Sequence, residues 1–219
     1  FFFKQKTAYE IYQCDWSSDV CSSDLAKKIN LDSISKDSIK EWKEGDLLLL
    51  SGKLLTARDS AHKKIADLLK KGEALPDEIN LKNKFIYYVG PVNAVGDEVI
   101  GPAGPTTASR MDHFMEMMLS DLGIMGTIGK AERGQEAVQI IKKNKSVYLS
   151  AVGGAAYLVS KAITSSKVVA FPELGMEAIY EFEVKDMPVM VSVDSHGKSI
   201  YLEAPLRWKN KSIPLKVSL

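Results

Sequence analysis

The sequence predicts an α/β domain in which a mixed sheet is flanked by helices. Short apolar or β-branched runs, such as Leu47–Leu50 and Val147–Ala151, have the length of core strands. Between them lie stretches with apolar residues at helical spacing, such as Asp59–Lys71 and Arg133–Lys143. The two kinds alternate along the chain, as in layered α/β domains. The 219 residues, 45% of them apolar, suit one compact domain, or a domain plus a tail.

In chain order, Asn30–Trp42 is polar and helix-compatible, with Asp32 and Ser33 as candidate caps and Ile34 and Ile39 as anchors. Gly45-Asp46 is a turn and Leu47–Ser51 a buried strand. Gly52–Arg58 reads as a loop opening into helix Asp59–Lys71, whose inner face is Ala61, Ile65, Leu68 and Leu69 and which Gly72 ends. Phe85–Val89 is a strand stopped by Gly90-Pro91, and Asp97–Gly104 a Gly/Pro-rich turn. Met111, Phe114, Met115, Met118 and Leu119 predict a helix over Met111–Leu122. Gly123–Gly129 reads as a strand reaching a site, Arg133–Lys143 as a helix and Val147–Ala151 as a strand. Gly153-Gly154 opens helix Ala155–Ile163. Val168–Ala170, Ile179–Val184 and Val189–Val193 are strands, Asp194–Gly197 is a turn, and the residues after Pro205 form a polar tail.

Composition excludes several functions. The net charge of +1 argues against nucleic-acid or membrane-surface binding. No apolar run is long enough to span a bilayer. Both cysteines, Cys14 and Cys21, precede Ala26, so the body has no disulfide and no thiolate ligands. His62, His113 and His196 show no metal-ligand spacing. Gly52-Lys53 lacks P-loop spacing, and GxSxG, HExxH and dinucleotide-binding motifs are absent. Phe1–Leu25 shows neither apolar period nor a signal-peptide pattern. It resembles translated sequencing-adapter DNA, with Lys4–Ile11 and Asp15–Leu25 each back-translating to an adapter stretch. It is expected to be a non-native, disordered segment, with the domain over 26–205 and the tail over 206–219.

Chemistry concentrates in a few stretches. In Gly104-Pro105-Thr106-Thr107-Ala108-Ser109-Arg110-Met111-Asp112, a tight turn delivers two hydroxyls and a guanidinium to a predicted helix N-terminus. There the free N–H groups and the dipole favour an anion, and Arg110 adds a planar fork matching a carboxylate. The same residues also fit an ordinary capped turn with Arg110 in solvent. Arg58, Asp59 and His62 gather at the start of a helix, with 58 and 62 on one face. They suit a second carboxylate, or a capped helix with a surface histidine. Lys130 follows a strand of small residues and offers a point charge. Gly153-Gly154 suits close packing, and Glu173 and Glu177 suit capping and ion pairing.

Taken in order, Gly45-Asp46, Ser51-Gly52, Thr56-Ala57-Arg58-Asp59-Ser60-Ala61-His62, Gly104-Pro105-Thr106-Thr107, Arg110-Met111-Asp112, Gly129-Lys130, Gly153-Gly154-Ala155-Ala156 and Glu173-Leu174-Gly175-Met176-Glu177 form a specific joint pattern. It resembles the β subunit, equivalently the C-terminal domain, of iron–sulfur class I fumarate hydratases and L-tartrate dehydratases, over roughly Lys28 to Tyr201. The resemblance implies a swivelling β/β/α domain. It also implies an α partner whose cysteines, not this chain, hold a 4Fe–4S cluster, in an α2β2-type assembly in the cytoplasm.

It further implies reversible loss of water from a four-carbon 2-hydroxydicarboxylate. Malate to fumarate is the leading expectation. L-tartrate dehydration and a non-catalytic carboxylate-binding module are the alternatives. Carried over residue by residue, Thr106 moves the proton at the carbon next to a carboxylate. Arg58, Arg110 and Lys130 bind the dicarboxylate. Asp59, His62, Thr107 and Asp112 stand behind them. One departure stands out: the family usually has Gly after Gly-Lys, and this chain has Ala131-Glu132.

Overall fold

The computed structural model describes residues 26–76, 78–151 and 156–209. Phe1–Leu25 with both cysteines, Gly153-Gly154-Ala155 and residues 210–219 of the expected tail lie outside the described residues.

A 7-stranded mixed sheet organises the chain. Strands β2 (Leu47–Thr56), β3 (Phe85–Tyr87), β4 (Gly126–Gly129) and β5 (Val147–Ala151) run parallel to one another. The long β7 (Ile179–Val193) runs antiparallel to β5 and also to β2, so the pairing ring β2–β3–β4–β5–β7 closes on itself. Strand β1 (Lys27–Asn30) extends it beside β2, and β6 (Ile163–Ala170) beside β7.

Period-2 alternation splits the apolar residues between two cores. Leu48, Leu50, Leu54, Phe85, Tyr87, Val147, Leu149 and Val191 share the first, which Ile39 and Trp42 also enter. Leu55, Ile86, Tyr88 and Tyr148 face the second. There they meet α2 (Asp59–Lys71), the segment Ala108–Asp121 and α3 (Gln135–Asn144) through Ala61, Ile65, Met111, Met115, Met118 and Ile141. Among the described residues, no helix is long and apolar enough to cross a membrane.

Several elements depart from the sequence reading. Helix α1 is only Lys36–Lys40, and Ser35 rather than Asp32 or Ser33 caps it by accepting from Ser38 N. Gly52, read as a loop, is a bulge inside β2. Its φ of +108° suits glycine, and a Cβ there would lie 2.7 Å from Asp32 Oδ2. The expected helix Met111–Leu122 winds instead as a 3₁₀ segment, Ala108–Phe114, followed by a π turn, Met117–Asp121. Its apolar spacing still buries Met111, Met115, Met118 and Leu119.

The two strands expected in 179–193 are one, because Asp186 at φ +50° absorbs the interruption as its N–H donates to Ser51 Oγ. Helix α4 is Ala156–Ser160, and Ile163 begins β6. Helix α5, Ile200–Lys209, crosses the expected tail boundary. Leu69, assigned to the inner face of α2, is 37% exposed.

Candidate functional site

The site residues collect just past the carboxyl ends of parallel strands β2, β3 and β4. Past β3, Tyr88 N donates to Ile128 O, and Tyr88 O accepts from Thr106 N at 2.6 Å. On the other side, Lys130 N donates to Thr106 O at 3.1 Å and Ala108 N donates to Lys130 O at 2.9 Å. The Thr106–Ala108 segment is therefore wedged between the ends of β3 and β4. Thr106 and Lys130 become backbone neighbours, although 24 positions apart in the chain. Among the described residues the Thr106 hydroxyl has no hydrogen-bond partner, and Lys130 is exposed.

The end of β2 brings in the arginines. Arg58 follows in extended conformation (φ −125°, ψ −163°) at the N-cap position of α2, with no side-chain capping hydrogen bond. Its Nη2 lies 3.6 Å from Glu177 Oε1 and its Nε 4.0 Å from Asp59 Oδ2. Gly90 makes room for it: a Cβ there would stand 2.5 Å from Arg58 Nη1. Arg110, on the 3₁₀ segment, reaches back to α2. Its Nε donates to Asp59 Oδ1 at 3.0 Å, and its Nη2 lies 3.0 Å from Oδ2. Both arginines thus meet at Asp59. Glu177 Oε2 accepts from Ser60 N at 2.8 Å. Partial burial raises the Glu177 carboxyl, but the Ser60 hydrogen bonds and the Arg58 charge outweigh it and hold the group below its ordinary range.

The four expected supporting residues divide. Asp59 joins the arginines. Thr107 has no side-chain cap role, though it begins the 3₁₀ segment and its backbone bridges Lys130. Asp112 faces inward: its Oδ2 accepts from Gly134 N at 2.7 Å and its Oδ1 lies 2.8 Å from Arg133 Nε. The sequence marks Arg133 only as the start of a helix. Its side chain is fully buried, with the guanidinium 5.4 Å from the Tyr88 ring and 5.3 Å from the Tyr148 ring. No local pattern marks it, because all three partners are distant in sequence.

His62, expected as a surface residue or second-carboxylate ligand, is wholly buried, stacked on Phe114 and edge-on to Tyr88. Its Nδ1 lies 2.7 Å from Arg58 O, so it braces the backbone of Arg58. Burial lowers its pKa to about 4. Between about pH 6.5 and 4 the unfolded imidazole binds a proton that the folded one refuses. Stability is therefore expected to fall across that window as pH drops, by up to roughly 3 kcal/mol at about 1.4 kcal/mol per unit. Urea unfolding at each pH checks this against His62→Phe. The stability difference between the two proteins should change across the window, and a flat difference would contradict the assignment.

Ala131, where the resembling family has Gly, sits at φ +63°. Its carbonyl accepts from the Tyr148 hydroxyl at 2.7 Å, which pins the turn next to Lys130. A left-handed backbone costs a residue with a Cβ about 1 kcal/mol. Ala131→Gly is expected to stabilise the chain by about 0.5–1 kcal/mol, read from its melting midpoint.

Two clefts open elsewhere. One of about 430 Å³ includes Leu69, Phe114 and Met117, and one of about 600 Å³ includes Trp42, Asp194 and His196. Neither includes Thr106, Arg58, Arg110 or Lys130. Among the described residues there is no cysteine, and no group of three or more His, Asp or Glu side chains could share a metal ion.

Known proteins resemble this chain in sequence. The family model for the fumarase C-terminus matches residues 4–204. Fumarate hydratase 2 of Leishmania major is 36% identical over 167 residues, covering 76% of this chain and 29% of that protein. The anaerobic class I fumarate hydratase of Escherichia coli K12 is 36% identical over 180 residues, 80% of this chain and 32% of that protein. A candidate L(+)-tartrate dehydratase subunit beta of Methanocaldococcus jannaschii is 39% identical over 175 residues, 78% of this chain and 89% of that protein. The chain thus spans about a third of the fumarate hydratases it matches, and most of the tartrate dehydratase subunit.

Proposed function

This chain belongs to the fumarase C-terminus family, and on that premise we propose that it supplies the proton-handling and carboxylate-clamping half of a hydro-lyase. The substrate class is a four-carbon 2-hydroxydicarboxylate, with malate and fumarate first. L-tartrate is second, favoured by the match along most of the tartrate dehydratase subunit. One observation carries the reading: Thr106 and Lys130 are locked together at the strand ends, beside a pair of arginines joined through Asp59.

Arg58 and Arg110 take the two substrate carboxylates through charge-assisted hydrogen bonds. The Thr106 oxygen exchanges a proton with the carbon adjacent to one of them. A threonine hydroxyl is a weak base at neutral pH, so its alkoxide depends on the positive field of Lys130 and the arginines. As the proton leaves that carbon, negative charge moves onto the neighbouring carboxylate, and the same cations stabilise it. The iron–sulfur cluster that the resemblance implies does not fit the described residues of this chain, which offer no ligand set for it. It is assigned to a partner chain or domain, and this chain's part is confined to binding, orienting and proton transfer.

The test is anaerobic co-expression with the neighbouring α-type chain, followed by assay of water loss from L-malate and L-tartrate. Turnover of either supports the reading, and the faster substrate identifies the reaction. A complex with an intact cluster that turns over neither overturns it.

A further inference from the structure

We propose that Asp59 is a positioning residue that sets which edge of Arg110 receives the substrate carboxylate and fixes Arg110 relative to Arg58. This rests on the hydro-lyase reading above.

Arg110 is the more exposed of the two arginines, with 52% of its side chain accessible against 20% for Arg58. Alone, a long cationic side chain on a 3₁₀ turn would sample many rotamers and lose that freedom on binding. Asp59 removes the freedom in advance. Its Oδ1 accepts a hydrogen bond from Arg110 Nε at 3.0 Å, and its Oδ2 stands 3.0 Å from Nη2 as an ion-pair contact, across 51 residues of sequence. A guanidinium carries five N–H donors on three nitrogens. With the Nε–Nη2 edge engaged, the Nη1 end remains to receive a carboxylate.

Asp59 is itself well placed to hold Arg110 still. It occupies the first turn of α2, a 13-residue helix whose N-terminal dipole favours an anion. The same carboxylate stands 4.0 Å from Arg58 Nε, and Glu177 holds Arg58 from the other side. The order Arg110–Asp59–Arg58–Glu177 ties together the 3₁₀ segment, the start of α2 and the Pro172–Glu177 turn. One carboxylate therefore governs the spacing of both clamps.

The opposite role is also chemically sensible. Asp59 could act as a competitor that occupies Arg110 until substrate displaces it. The two roles differ in the sign of one observable. If Asp59 positions, Asp59→Ala raises KM at least tenfold, with a smaller fall in kcat. If it competes, the same change lowers KM.

Kinetics in the complex with the cluster-bearing partner should show the rise, with Asp59→Asn intermediate because it keeps an acceptor for Nε. In a double-mutant cycle, Asp59→Ala with Arg110→Ala should lose clearly less than the product of the two single losses, since the Asp59–Arg110 contact is shared, and the remaining loss reflects the contact of Asp59 with Arg58. An unchanged or lowered KM overturns the proposal, as do fully additive losses. A readout independent of turnover is the ¹⁵N-labelled arginine side-chain spectrum of the full chain. The Arg110 Nε–H signal should be protected from solvent exchange in the wild type and lose protection in Asp59→Ala. Retained protection overturns the positioning role alone. An inert wild-type complex with protection lost as expected overturns the hydro-lyase reading, and leaves only the structural contact.

Discussion

Thr106→Ala is expected to lower turnover of the assembled enzyme by roughly 10²–10⁴-fold, the usual contribution of a positioned acid–base group, and to leave the fold intact. The reason lies in how Thr106 is held. Its N–H donates to Tyr88 O and its carbonyl accepts from Lys130 N. Both contacts are backbone and survive the substitution. The hydroxyl, by contrast, has no partner among the described residues, so its loss removes chemistry and little packing. Thr106→Ser should recover a large part of the rate, because the oxygen returns to the same backbone position. Steady-state kinetics with melting midpoints for all three proteins decide the matter. A Thr106→Ala enzyme within a few-fold of wild type would remove Thr106 from the reaction.

The second large effect is expected at Arg58. Truncating one partner of a charge-assisted hydrogen bond costs about 1.5–3 kcal/mol, and Arg58 also adds field at the developing carboxylate charge. Arg58→Ala should therefore reduce kcat/KM by roughly 10²-fold or more, with both KM and kcat affected. Arg58→Lys should not restore it, since a lysine cannot span a substrate carboxylate and Glu177 with a planar fork. Arg58→Ala also removes the cation whose charge helps to lower the Glu177 carboxyl. Kinetic constants for the alanine and lysine variants check this. Near-normal kcat/KM in either would assign the carboxylate to another group.

The candidate residues of this site were legible in the sequence, whereas their contacts were not. Local pattern marks Arg58, Thr106, Arg110 and Lys130 as turn and strand-end residues able to bind an anion, but it fits ordinary capping and solvated charge equally well, and their proposed roles come from the ordered set of motifs that resembles one family. The alternation of strands and helices was equally readable, and α2 and β5 have the expected bounds because caps and apolar periods are local signals.

What escaped was long-range. The closure of β7 onto β2 joins segments far apart in the chain, and no periodicity records it. Gly52 looks like a loop residue whether it turns the chain or bulges a strand. His62 reads from the sequence as a surface residue or a carboxylate ligand, and Arg133 only as the start of a helix. Tertiary packing buries both, between aromatic rings supplied by Tyr88, Phe114 and Tyr148. The left-handed Ala131 explains in backbone terms why glycine suits that position.

The central claim is that this chain is one necessary half of a catalytic site. The most direct measurement is to titrate it, anaerobically, into the isolated cluster-bearing α-type partner while following fumarate formation from L-malate, with L-tartrate in parallel. The account predicts that the partner alone is inert, and that activity rises with added chain and saturates at one chain per partner. It also predicts that the Thr106→Ala chain saturates at the same ratio without restoring turnover. A partner that turns over equally well alone, or a Thr106→Ala chain that restores full activity, would contradict it.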